Sequence, residues 1–202
     1  MQTEKILKIA EEEMKYRTSH PFKERGNKFY HGQRVGNIVR SLCDALGYDK
    51  NVEALVVAGW FHDARNGMEH HEKLGSDLAR ERLTGLCSDE ELELICRIIS
   101  VHDQRDMENL DMATMIVQDA DLLDHFGLFR AWFSFQNAVR DHLSMADVAE
   151  NMLRECERDT VDNRSIHFDI SREIYEEKVA YIRSFAERLA IEGNGGVVFS
   201  IK

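Results

Sequence analysis

The sequence holds nine histidines and more carboxylates than bases. The sharpest candidate for chemistry is the pair His62-Asp63. The residues before it, Val56-Val57-Ala58-Gly59-Trp60-Phe61, are of the buried type. Adjacent polar groups at the end of a core helix need partners, because unpaired burial costs roughly 2–7 kcal/mol per group. A divalent metal would satisfy both, since imidazole nitrogen and carboxylate oxygen are common ligands for first-row ions. His31 opens the preceding long periodic segment. Farther on, Asp119-Ala120-Asp121-Leu122-Leu123-Asp124 sets carboxylates into an apolar helix. Like charges this close repel, so a cation belongs among them. His31, His62, Asp63 and an aspartate of the Asp119–Asp121 segment therefore make a set of N and O donors with positions left for water.

Helices must position these groups. The chain has 202 residues, with 1 proline, Pro21, and 12 glycines that fall mostly between periodic segments. Helix interiors exclude both residue types, so the fold class is all-α. Apolar spacing predicts helices over 3–18, ended by His20-Pro21, and 31–46, closed by Gly47. A nearly all-apolar helix over 49–63, with Asp49 as its cap, belongs in the middle of a bundle. Further helices are expected over 69–84 with Leu74, Leu78 and Leu83 inward, from a Ser88 cap to about Val101, and over 111–123, 125–137, 144–157 and 170–191. Val197–Ile201 is a candidate strand after the glycine-rich break. The simplest organisation is a single domain over 1–202. It comprises a motif-bearing core at about 28–130, C-terminal helices over 140–192 packed on it, and a tail at 193–202. The aromatic run Phe126–Phe135 reads as core packing, the alternative being a partner or homodimer surface.

Composition excludes several classes. The net charge is −11, with 37 acids against 26 bases. A nucleic-acid polymer needs clustered Lys and Arg, which are absent. A small phosphorylated substrate is compatible, because a metal supplies local positive charge. No apolar run approaches the roughly 18 residues of a membrane span. The N-terminus is charged early and lacks a leader core, so a cytoplasmic location is the expectation. Cys43, Cys87, Cys96 and Cys156 form no CxxC pair, and Cys43 and Cys96 sit in apolar patterns as small core residues.

The ordered set His…His-Asp…Asp resembles the HD superfamily of metal-dependent phosphohydrolases. The likeness runs from Tyr30-His31-Gly32-Gln33-Arg34-Val35 through Trp60-Phe61-His62-Asp63 to Val117-Gln118-Asp119-Ala120-Asp121-Leu122-Leu123-Asp124. It implies an HD-type multi-helix bundle and a metal bound by His31, His62, Asp63 and Asp121. The family's Ala-Asp pattern favours Asp121 over Asp119. Some branches place histidines where His71 and His102 stand, as ligands of a second ion bridged by Asp63 or as phosphate contacts. The ion would be Mn, Fe, Co, Ni or Zn. Its bound water would attack phosphorus in a small phosphorylated substrate, a nucleotide being the expected class.

Arg34, on the His31 helix face, and Arg65 are the candidate cations for phosphoryl charge, with Lys28, Arg105 and Arg130 behind them. Each arginine is as readily a surface ion pair. Many nucleotide-cleaving members carry Lys or Arg directly after the ligand aspartate, where this chain has Leu122. Two other readings share the donor set: a di-iron oxygenase that adds His71 and His102, and a non-catalytic helical module with a structural metal.

Overall fold

Ile6, Ala10 and Met14 are fully buried along α1 (Thr3–Met14). The helix stops short of residue 18. Tyr16 is exposed, and Arg17 turns its guanidinium onto the backbone carbonyls of Ala64 and Asn66. The expected stop at His20-Pro21 lies outside the described residues, which are 1–17, 25–158 and 165–197 of this computed structural model. Among them every regular element is a helix, as the scarcity of proline predicts.

α2 (Asn27–Leu46) begins earlier than predicted, behind Gly26, and closes at Gly47 as predicted, with φ 63°. α3 (Val52–Phe61) is preceded by Asn51 in the left-handed region, so the expected Asp49 cap is corrected. Every residue from Ala54 to Phe61 is buried, and α3 packs against α1, α2 and α5 (Asp89–Val101). This is the central position that an all-apolar helix requires. In α4 (His71–Leu83) the buried face is Gly75, Leu78, Ala79 and Leu83, while Leu74 is exposed, contrary to expectation. Gly75 lets α4 ride close on Ile99 of α5, which turns the stripe one residue past Leu74. α5 starts at the predicted Ser88, whose hydroxyl accepts the Glu91 backbone N–H while the Glu91 carboxylate accepts from the Ser88 backbone. α6 (Met112–His125) carries the aspartate segment.

The chain divides into two compact units, Met1–Asp124 and His125–Lys202. In the first, α2 and α3 cross almost backbone to backbone. A Cβ on Gly32 would lie 2.5 Å from the Trp60 carbonyl oxygen, and one on Gly36 2.5 Å from the Trp60 indole nitrogen. Glycine is required at Gly32 because the obstacle is main chain, which cannot swing aside.

The second unit contains α7 (Leu128–Asp141), α8 (Met145–Arg158) and α9 (Asp169–Gly193). Val148, Ala149, Met152 and Cys156 are buried on α8, and Tyr175, Ile182 and Ala186 on α9. Core packing of the aromatic run holds for Phe126, whose ring lies 5.4 Å from Tyr175, but not for Trp132 and Phe135, which are exposed. The helical period carries Leu128, Trp132, Phe135 and Val139 to one outward face. The candidate strand falls outside the described residues apart from Val197. Cys43 and Cys96 are buried, as expected. Among the described residues no helix is long and apolar enough to cross a membrane.

Candidate metal centre

His31 projects from the first turns of α2, His62 is the C-cap of α3, and Asp121 lies on α6. His31 Nε2 and His62 Nε2 are 3.1 Å apart. Asp121 Oδ1 lies 3.2 Å from the first and 3.3 Å from the second. Asp63, directly after His62, brings Oδ2 within 3.9 Å of His31 Nε2. All of these groups lie in the first unit.

Hydrogen bonds fix the tautomers. The His62 Nδ1–H donates to the Gly59 carbonyl at 2.8 Å, a terminal carbonyl of its own helix. The His31 Nδ1–H donates to Asp124 Oδ2 at 2.7 Å. Each ring then presents Nε2 toward the other and toward a carboxylate oxygen, and offers a lone pair there when it is neutral. Two ring nitrogens and a carboxylate oxygen converge on one point, an arrangement that needs positive charge between them, a proton on His31 Nε2 or a metal ion in its place. Their separations match the ligand-to-ligand edges of roughly 3.0–3.4 Å that bonds of about 2.1 Å generate around a metal ion. The residues therefore fit a divalent transition metal.

Electrostatics agree. Burial pushes the His31 imidazole down, but hydrogen bonds to Asp121 and Asp124, with their charges, outweigh it and raise its pKa to about 9. The pocket thus attracts positive charge. Burial also disfavours the ionised form of Asp63, yet the charges of His62, Lys28 and His31 prevail and hold it well below the usual carboxylate range. Asp124 is likewise kept ionised, its burial outweighed by hydrogen bonds to His31 and Arg34.

His102 mirrors His62. It is the C-cap of α5, and its Nδ1–H donates to the Ile99 carbonyl at 2.8 Å. Its Nε2 lies 3.9 Å from Asp63 Oδ1. Burial, then the nearby His62, lowers its pKa, favouring the neutral ring. His71, the first residue of α4, has its ring 5.4 Å from that of His102. One donor atom each from Asp63, His71 and His102 lies within 4.8 Å of the others, a second set that could hold an ion. His70 beside it is exposed, as expected.

The other expected residues separate. Asp119 is fully buried and faces Arg105, at 3.8 Å. Arg34 clasps Asp124 with Nε at 2.7 Å and Nη2 at 2.9 Å. Arg65 points to Glu13 at 3.5 Å. Arg130 pairs with Glu155 in the second unit. Sequence reading passed over Asp124, which orients His31, and Asn66, which donates to Asp63 Oδ1 at 2.8 Å. Both sit three residues beyond a site aspartate, Asp124 on the same face of α6 and Asn66 in the turn that follows α3, and that spacing was the available signal.

Residues 29–125 match the HD domain family. Among curated proteins none matches the chain by sequence. Solved structures of the same fold include an HD-superfamily hydrolase from Bacillus thuringiensis, 21% identical with a TM-score of 0.69 over 95% of this chain and 96% of that one. A predicted HD superfamily hydrolase from an uncultured Thermotogales bacterium is 17% identical, with a TM-score of 0.66 over 94% and 91%. Bacillus subtilis YpgQ, solved in complex with ADP, is 18% identical, with a TM-score of 0.64 over 93% of each chain. The helix order, the histidines at helix ends and the family match agree that residues 29–125 carry an HD domain.

Proposed function

We propose that this protein is a metal-dependent phosphohydrolase that cleaves a small phosphate ester or anhydride, with a nucleotide as the substrate class. The observation that carries this reading is the convergence of His31 Nε2, His62 Nε2 and Asp121 Oδ1 within 3.1–3.3 Å of one another. The HD domain match over residues 29–125 supports it, and the ADP complex of YpgQ, a protein of the same fold, supports the nucleotide.

His31, His62, Asp63 and Asp121 would hold a divalent ion drawn from Mn, Fe, Co, Ni and Zn. Such an ion, when bound, lowers the pKa of its water and polarises the phosphoryl group. The chain's own residues do the rest. Gly59 and Asp124 fix the imidazole tautomers, a role that typically accounts for 10–100-fold in metal affinity. Arg34 holds Asp124 in place from its other side. His102 and His71 stand beside Asp63, toward the second donor set.

The test is a screen of nucleoside mono-, di- and triphosphates against purified protein, with each ion supplied in turn. Phosphate or pyrophosphate release is expected, lost with chelator and restored by one of the ions. Absence of release with every ion would overturn the reading.

A further inference from the structure

We propose that Lys28 is the cation that receives the substrate's phosphoryl charge, supplying what the buried Leu122 cannot. This rests on the phosphohydrolase reading above. Lys28 lies one helical turn before His31 on α2, so the two share a face. Its side chain is only 13% exposed, and its ammonium is 2.7 Å from Asp63 Oδ2. That same oxygen is the one nearest His31 Nε2. The ammonium is therefore aimed into the donor set rather than out to solvent.

Three other nearby cations already have partners of their own. Arg34 is clasped to Asp124, Arg65 is turned to Glu13, and Arg105 donates to the Gln118 carbonyl and faces Asp119 and Asp121. Charge balance then points to Lys28. A divalent ion held by Asp63 and Asp121 is neutralised by its own carboxylates, so an arriving phosphoryl dianion needs further positive charge. An ammonium carries three donors on a flexible stem. One holds Asp63, which leaves donors for phosphoryl oxygens. Burial of this lysine is costly unless its charge is used, and Asp63 keeps it in place between turnovers.

The experiment compares wild type, Lys28→Met, Lys28→Gln and Lys28→Arg, each loaded with Mn²⁺. Metal content, affinity for inorganic phosphate by calorimetry, and steady-state hydrolysis are all read. Either neutral variant should keep the wild-type metal content, bind phosphate at least tenfold more weakly and lose about 100-fold in kcat/KM. Lys28→Arg should recover most of the phosphate affinity. Wild-type phosphate affinity in a folded neutral variant would overturn the proposal and leave the phosphohydrolase reading standing. Loss of metal from the neutral variants would also overturn it, because Lys28 would then act only by positioning Asp63. If the neutral variants fail to fold, Lys28→Arg decides by retaining or losing phosphate affinity. A wild type that hydrolyses nothing sinks the phosphohydrolase reading alone, since phosphate affinity still reads Lys28.

Discussion

Asp63→Ala is expected to lower metal-dependent phosphate release by about 10³-fold or more, the scale of losing a group that organises charge at a reacting centre. The carboxylate serves several neighbours at once. It approaches His31 with one oxygen and His102 with the other, and it accepts hydrogen bonds from Lys28 and Asn66. Its removal takes away a proposed ligand and strands the Lys28 ammonium among buried groups. An unpaired charge left in such a place costs about 3 kcal/mol. The variant should therefore melt lower as well as lose activity. Asp63→Asn keeps the shape and part of the hydrogen bonding, so it should regain stability and not activity. Phosphate release and a thermal melt on both variants check this. Undiminished release by folded Asp63→Ala would refute the mechanism.

Gly32→Ala should be nearly as damaging, although it removes no chemical group. Its Cβ would sit 2.5 Å from the Trp60 carbonyl oxygen and 3.1 Å from the Trp60 Cα. The obstacle is backbone, so α2 and α3 must separate. Overpacking of this kind costs about 1–3 kcal/mol, or a fall in Tm of several degrees for a chain this size. His31 is the adjacent residue, so the separation should also draw its Nε2 away from His62 and weaken metal binding. Gly47→Ala is the control. It sits at φ 63° with open space around its Cβ, so it should cost about 1 kcal/mol of stability and leave metal binding intact. Equal metal affinity in Gly32→Ala and wild type would show that the close crossing does not set the site.

The all-helical class, the central α3 and the Ser88 cap were legible in the sequence because each rests on local rules: proline scarcity, apolar periodicity and the capping box. The residues that the fold brings together, His31, His62, Asp63 and Asp121, stood out because most are polar groups at the edge of apolar helices. The hidden features depend on the partner of each residue. Gly32 and Gly36 lie within a helical pattern, and only Trp60 shows why they are needed, with its backbone at Gly32 and its indole at Gly36. Arg65 looked like a site cation by position, yet its side chain runs to Glu13 on α1. Leu74 fitted the apolar stripe of α4 until Gly75 set the contact with α5. Asp119 and Asp121 are equivalent by composition. Both lie near Arg105, and Asp121 also brings an oxygen within 3.2–3.3 Å of the two imidazoles.

The most direct test of the central claim is the metal content of the purified protein, measured by elemental analysis beside Asp121→Ala and Asp119→Asn. Wild type and Asp119→Asn are expected to carry at least one transition-metal ion per chain, and Asp121→Ala to lose it while keeping its helical content. Protein that neither carries nor takes up such an ion, or an Asp121→Ala variant that holds it as tightly as wild type, would contradict the account.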